Sequence, residues 1–383
     1  MGKALSDFRE NPNRAIFVTG EIDEKLVHRL TPDLCRLRAA NSEPITAYID
    51  SRGGSTLAAE HLFALFKTPT QERAVSRLIT VATTRAASAA ADLLALGDYA
   101  IAYPHAIVHF HGTRLSSDEI TKESAQNLAA SLRETNEEFA LRLAKRVFGR
   151  MAFHYTLLKS EFPTLRKTAI KEKWDTTMAS DLECFACAIH SRLSRGYRSP
   201  RKLPQEAYTL HETLADMSAY VLDKLGKIDP AEPFVATEAE ILRHLLDYEL
   251  TELAREKPDW SLVDGGIDIL VEDFRNLADF IFGKHKQALQ EHIDGFGVLF
   301  LNPKQTARLQ KERETGKNSA KWIEAVVRPI IEPLWYFVVA LCRLLQHGEN
   351  PLTATDAYWL GLVDEVVGQK LPSLRLVAEN PDI

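Results

Sequence analysis

The sequence has little cysteine, no excess of basic charge and no uninterrupted hydrophobic run of the about 20 residues needed to span a membrane. Four cysteines in 383 residues form no small disulfide framework, which fits a reducing cytosol. The net charge of −6, with no strongly basic segment, argues against nucleic acid as a partner. The N-terminal residues contain no apolar stretch typical of a secretory signal, so we expect a cytoplasmic protein.

The most apolar segment is short. It covers residues 335–345, where Arg343 interrupts it, and Pro329 and Pro333 precede it. Crossing a bilayer takes about 20 apolar residues, so the segment predicts a buried helix or a subunit interface, and no membrane. The sequence shows no fixed-period repeat, and its length of 383 residues allows two domains.

Ser88 is the first candidate functional residue. It stands among small residues in the stretch 83–91, between an apolar run at 78–82 and a helix-like run at 92–96. A strand that enters a helix through such a turn can expose a hydroxyl where main-chain N–H groups favour a developing negative charge. Close packing by a small residue is the alternative interpretation. A serine nucleophile needs an adjacent base, and two histidines follow it at 109 and 111.

Three other segments add to this pattern. Residues 15–22 are β-branched and aromatic and predict a strand. Residues 45–55 predict a second strand that ends in a Gly-Gly turn, where the N–H of Gly54 can point at a substrate carbonyl. The third segment, residues 351–367, contains the sequence Gly-Leu-Val-Asp near its end.

In this order the segments resemble the proteolytic subunit of the Clp protease, ClpP, and its wider ClpP/crotonase superfamily. The resemblance covers residues 15 to about 148 and about 349 to 368. It implies an α/β fold with a repeated β-β-α core and a parallel sheet. It also implies a serine endopeptidase that hydrolyses polypeptides without a cofactor, as a homo-oligomer, with an AAA+ unfoldase or another regulatory protein as a possible partner.

The resemblance also assigns roles to individual residues. Ser88 falls at the nucleophile position, and the N–H groups of Gly54 and Ala89 fall at the oxyanion hole. Residues 104–111 match the family's histidine strand without a gap at His111, which makes His111 the expected base. His109 lies on the same face of that strand, because side chains alternate with period two, and it is the alternative base.

The third member of such a triad is an acid. The family has an acid shortly before a Leu-Ser-Ala sequence, and the matching residue here is Glu349, upstream of Leu-Thr-Ala. A solvated loop carboxylate is the alternative interpretation of Glu349. Asp356 and Asp364 are poorer candidates, since Asp364 matches a different position of the family.

The chain departs from the family pattern at the predicted cleft. Thr84 replaces the first glycine of the nucleophile turn, and Arg52 replaces the proline of the Gly-Gly turn. Arg52 and Arg85 border the predicted substrate groove, where they either favour acidic peptides or pair with acids such as Asp50. We expect the pairing.

The predicted organisation has three parts. Residues 1–148 form the first part of the ClpP-like core, with a loose arm at 1–14 and a long helix that ends near Gly149. Residues 149–348 form a mostly helical insertion that gates or targets the site, and residues 349–383 complete the core. Within the insertion Cys184, Cys187 and His190 have spacing that can bind zinc, but a structural site needs four ligands, so we expect core packing and no metal.

Two other functions are compatible with the sequence. One is a non-catalytic or regulatory ClpP-like scaffold, in which the insertion carries the function. The other is a crotonase-like acyl-CoA enzyme, which shares the fold and the glycine turn but needs a catalytic carboxylate in the cleft. The pairing of Ser88 with His111 favours the peptidase.

Overall fold

The computed structural model describes residues 8–69, 75–114, 131–132, 135–136, 138–152, 287–346, 350–369 and 371. The described residues fall into two compact units. The first contains those within 8–150 and 345–371, and the second contains 151–152 and 287–344. Most of residues 149–348 lie outside the described part, so the domain boundaries of the helical insertion remain a prediction.

The first unit is built on a seven-stranded sheet that is mostly parallel. Its strands are β1 (Ala15–Ile22), β2 (Ile45–Gly54), β3 (Leu78–Ala87), β4 (Tyr99–Ala102), β5 (Ile107–His109), β6 (Leu352–Thr353) and β7 (Glu365–Val366). The order is β1-β2-β3-β4-β7. β5 pairs in parallel with the second half of β3, and β6 runs antiparallel to β5. This arrangement confirms the predicted α/β fold class.

Helices connect the first strands of this sheet. They are α1 (Glu24–Ala40), α2 (Thr56–Lys67) and α3 (Ala89–Ala95). The side chain of Asp23 caps α1 by accepting from the N–H of Leu26 at 2.8 Å. Strands β2 and β3 are buried along most of their length, as expected for a parallel sheet covered on both faces.

The predicted loose arm is wrong for residues 8–14. Arg14 is buried, and its guanidinium donates to the main-chain oxygens of Leu37 and Asn41 at 2.9 and 3.2 Å. The ring of Phe8 lies 5.3 Å from that of Tyr99. These contacts hold the segment against the end of α1 and against the sheet. Residues 1–7 lie outside the described part.

The predicted end of the long helix at Gly149 is also wrong, because helical structure continues through residues 138–152. The reason lies in Arg150, whose buried guanidinium donates to the main-chain oxygens of Ala95 and Gly97 at 2.8 and 3.1 Å. These tertiary hydrogen bonds, together with the burial of Phe148, Met151 and Ala152, stabilise the helix past the glycine.

The second unit contains the helical residues 287–296, α4 (Pro303–Glu314) and most of α5 (Ala320–Leu345). Among the described residues α5 alone has the length and apolar composition that could cross a membrane, and 75% of its most apolar window is buried inside the protein. That burial agrees with the predicted buried helix. The chain then returns to the first unit at residue 345, and in this unit β6 is followed by α6 (Ala354–Trp359).

Candidate active site

Ser88 occupies a strained turn between β3 and α3. Its φ of 54° and ψ of −133° make it the one non-glycine residue with positive φ in the described part of the chain. Such backbone strain costs on the order of 1–3 kcal/mol and is concentrated at functional sites. A strained strand-to-helix turn also exposes the nucleophilic serine of α/β-hydrolases. The local geometry therefore suits a nucleophile.

The Gly-Gly turn at the end of β2 passes directly against Ser88. A Cβ atom placed on Gly53 would lie 2.6 Å from the Cβ of Ser88 and 3.1 Å from the main-chain nitrogen of Ala89. Ala89 is the first residue of α3, so its N–H has no acceptor within the helix. The fold thus brings Gly53 of this turn beside the N–H of Ala89, whereas Gly54 pairs with Ile22 of β1. The oxyanion role of Gly54 stays a prediction.

The histidine strand lies on the other side of the serine turn. Strand β5 pairs Ala87 with His109, and the main-chain N–H of Ser88 donates to the carbonyl oxygen of His109 at 2.7 Å. His111 follows two residues later, and the centroids of the two imidazole rings are 6.0 Å apart. His109 therefore lies next to Ser88, and its main chain anchors the turn; the ring of His111 is beside that of His109.

The imidazole of His111 already has one hydrogen-bond partner. Its Nδ1 lies 2.8 Å from the carbonyl oxygen of Gly112. A carbonyl oxygen only accepts, so Nδ1 carries the proton in this hydrogen bond and Nε2 is left as the acceptor. Among the described residues the side chain of Ser88 forms no hydrogen bond with His111. Catalytic hydrogen bonds commonly close only when substrate binds.

The structure describes two of the three acidic candidates for the triad. Glu349 lies outside the described residues. Asp356 belongs to a capping box at the start of α6, where its carboxylate accepts from the hydroxyl of Thr353 at 2.7 Å. Asp364 is buried against Arg150 at 2.8 Å. The last two carboxylates thus have structural partners, in agreement with their lower rank as triad acids.

The predicted pairing of Arg52 with Asp50 is wrong. Both side chains are exposed on β2, and neither forms an ion pair within the described part of the chain. They lie on one face of the strand because they are two residues apart, but they do not meet. Arg52 is consequently exposed beside the glycine turn that touches Ser88.

No group of three histidine, cysteine or acidic side chains in the described segments has the geometry to hold a metal ion. Cys184, Cys187 and His190 lie outside these segments, so the expectation of core packing there stays a prediction.

Sequence reasoning missed two glycines at the site. Gly53 makes the close contact with Ser88, although Gly54 received the functional role. Gly112 supplies the carbonyl that holds His111, and nothing in the sequence marks that role except its position directly after the histidine.

We expect Gly53→Ala to displace the serine turn. The new Cβ would lie 2.5 Å from the carbonyl oxygen of Ala87, so activity should fall at least tenfold as the nucleophile moves. Gly20→Ala is the matched control, because Gly20 also has positive φ but no atom within 4 Å of its Cβ position. We expect both variants to unfold at a lower temperature than the parent, but only Gly53→Ala to lose activity. Loss of activity in Gly20→Ala with full activity in Gly53→Ala would contradict the role of the Gly53 contact.

Comparison with known proteins gives one family. The model of the Clp protease family matches residues 8–146, a range that contains Gly54, Ser88, Ala89 and both candidate histidines. No curated protein sequence matches the chain significantly.

Proposed function

Because the Clp protease family model matches residues 8–146, we propose that the protein is a serine endopeptidase that hydrolyses peptide bonds of polypeptides. Ser88 is the proposed nucleophile and His111 the proposed base. The observation that carries the proposal is the strained turn at Ser88, which is packed between the Gly-Gly turn and the histidine strand. A scaffold has no need to maintain that strain.

The proposed reaction is acyl transfer to Ser88. Its Oγ attacks the carbonyl carbon of the peptide while Nε2 of His111 accepts the proton and then delivers it to the leaving amine. Water next attacks the acyl-enzyme with the same base, which releases the new carboxylate and regenerates the serine. The N–H groups of Gly54 and Ala89 would stabilise the oxyanion, and loss of one such donor typically costs about 100- to 1000-fold.

Glu349 remains the proposed acid of the triad. Support comes from the segment that follows it, since Leu352 and Thr353 pair antiparallel with Val108 and Ile107 of β5. The C-terminal part of the chain therefore returns beside the strand that leads to His111.

The proposed assembly is a cytoplasmic homo-oligomer whose insertion gates or targets the site. Members of the Clp protease family are generally oligomeric and work with unfoldases, which makes an AAA+ unfoldase a candidate partner. An exposed aromatic ring on the sheet supports a protein contact: Phe17 is 58% exposed and stacks on the half-buried Tyr48 with ring centroids 5.4 Å apart. Exposed apolar surface of this kind commonly marks an interaction site when it extends into a patch.

The proposal is tested by incubating the protein with an unfolded polypeptide and detecting new peptide termini by mass spectrometry. We expect cleavage by the parent protein and none above background for Ser88→Ala. Thr31→Ala removes a hydroxyl that bonds within α1 and is the control that keeps activity. Cleavage by folded Ser88→Ala at the parental rate would refute the serine peptidase, as would a parent that is inert on every polypeptide but binds acyl-CoA.

A further inference from the structure

His111 is oriented by a hydrogen bond that the family resemblance does not imply. The hydrogen bond from Nδ1 to the carbonyl oxygen of Gly112 fixes which ring nitrogen carries the proton. In a Ser-His-Asp site that task belongs to the buried carboxylate, and its replacement by an amide lowers kcat about 10⁴-fold because the wrong tautomer results.

The two peptide units that flank the Cα of Gly112 are both held by hydrogen bonds. The N–H of Gly112 donates to the carbonyl oxygen of Gln346 at 2.7 Å, and the N–H of Thr113 donates to Oδ1 of Asn136 at 3.1 Å. The two holding residues are also joined to each other, because Nε2 of Gln346 donates to the carbonyl oxygen of Asn136 at 2.9 Å.

The same network restricts where the Gly112 peptide can move. Gln346 is only 7% exposed, so its hydrogen bonds are shielded from competing water. A Cβ on Gly112 would lie 3.3 Å from Nδ2 of Asn136 and 3.5 Å from the oxygen of Gln346, which shows how closely both groups surround this residue. The carbonyl of Gly112 therefore has a defined direction before any substrate arrives.

We infer that the main-chain carbonyl of Gly112 orients His111, and that Asn136 and Gln346 are the positioning residues that hold this carbonyl in place. The inference rests on the proposed peptidase function. A carbonyl oxygen keeps the proton on Nδ1 whatever the state of Glu349, and Nε2 stays available to accept the proton of Ser88. The contribution of Glu349 is then restricted to stabilising the imidazolium that forms during the reaction.

The test uses the full chain and a fluorophosphonate probe, with the labelling rate at saturation (kinact) and the half-saturating concentration (KI) measured separately. Asn136→Leu removes the acceptor for Thr113, so we expect kinact to fall about 100-fold, as for a displaced catalytic group, with KI unchanged. Asn136→Asp keeps an acceptor oxygen and should restore most of the rate. Thr135→Ala, on the same helix outside the network, should label like the parent.

Glu349→Gln tests the alternative in which a carboxylate sets the tautomer of His111. We expect it to lower kinact by less than about tenfold, far below the roughly 10⁴-fold loss expected if a carboxylate set the tautomer. A loss of that larger size, or parental labelling of folded Asn136→Leu, would overturn the inference. If Asn136→Leu fails to fold, Asn136→Ala, which removes the same acceptor without the added bulk, takes its place. A parent protein that is not labelled at all refutes the proposed function itself, a result distinct from either outcome.

Discussion

His111→Ala should abolish peptidase activity, with a fall in kcat on the order of 10⁶-fold, comparable to the loss of a triad histidine elsewhere. The expectation follows from its ring, whose Nδ1 is held by the Gly112 carbonyl and whose Nε2 is left to accept the serine proton. Steady-state cleavage of a peptide released in the polypeptide assay would measure the effect.

His109→Ala is the matched control for this prediction. The main-chain oxygen of His109 anchors the N–H of Ser88, and alanine retains that oxygen. We therefore expect a change within about tenfold, because the anchor of the serine turn is kept and His111 remains as the base. The reverse result, with activity lost in His109→Ala and kept in His111→Ala, would assign the base to His109.

Arg150→Met should cause the largest loss of stability in the first unit. The guanidinium pairs with Asp364 at 2.8 Å and donates to several main-chain oxygens, and both side chains are less than a tenth exposed. Removing one partner leaves a buried, uncompensated charge, which typically costs about 3–5 kcal/mol. Chemical denaturation of the full-length variant would measure this loss.

Two further variants test whether the loss of stability comes from the buried ion pair or from the removal of any arginine. Arg36→Ala breaks an exposed ion pair with Asp33, whose side chains are 75% and 56% exposed, and should cost less than about 1 kcal/mol. Replacing Arg150 and Asp364 together by apolar residues should recover part of the loss. Equal unfolding free energies for Arg150→Met and Arg36→Ala would contradict the account.

The loss in Arg150→Met should depend on pH. Burial raises the pKa of Asp364, and the positive charge of Arg150 partly counteracts this rise. Without the arginine the pKa rises further, so the folded variant holds a proton that the unfolded chain has released. Its stability relative to the parent should therefore recover as the pH falls towards the usual range of aspartate and worsen as the pH rises.

Much of the sheet could be predicted from local sequence. The β-branched run at 15–22 and the run that ends in the Gly-Gly turn became β1 and β2 with nearly the predicted bounds. The turn at Ser88 also forms between a strand and a helix, because small residues there leave room for the neighbouring glycine. These features depend on contacts close in sequence or on steric rules that residue type reveals.

Features that depend on distant main-chain groups could not be predicted. Arg14 and Arg150 look like surface residues by composition, but each is buried where several carbonyl oxygens converge from other elements. The role of Gly112 is similarly hidden, since a carbonyl is common to every residue. The pattern of side chains in the sequence does not reveal where main-chain acceptors meet in the folded structure.

The most direct test of the central claim is to treat the purified protein with a fluorophosphonate probe and map the labelled residue by peptide mass spectrometry. The account predicts labelling at Ser88, lost in Ser88→Ala and in His111→Ala, because only a base-activated serine attacks the phosphorus centre. A folded protein that remains unlabelled, or one labelled at another serine, would contradict it.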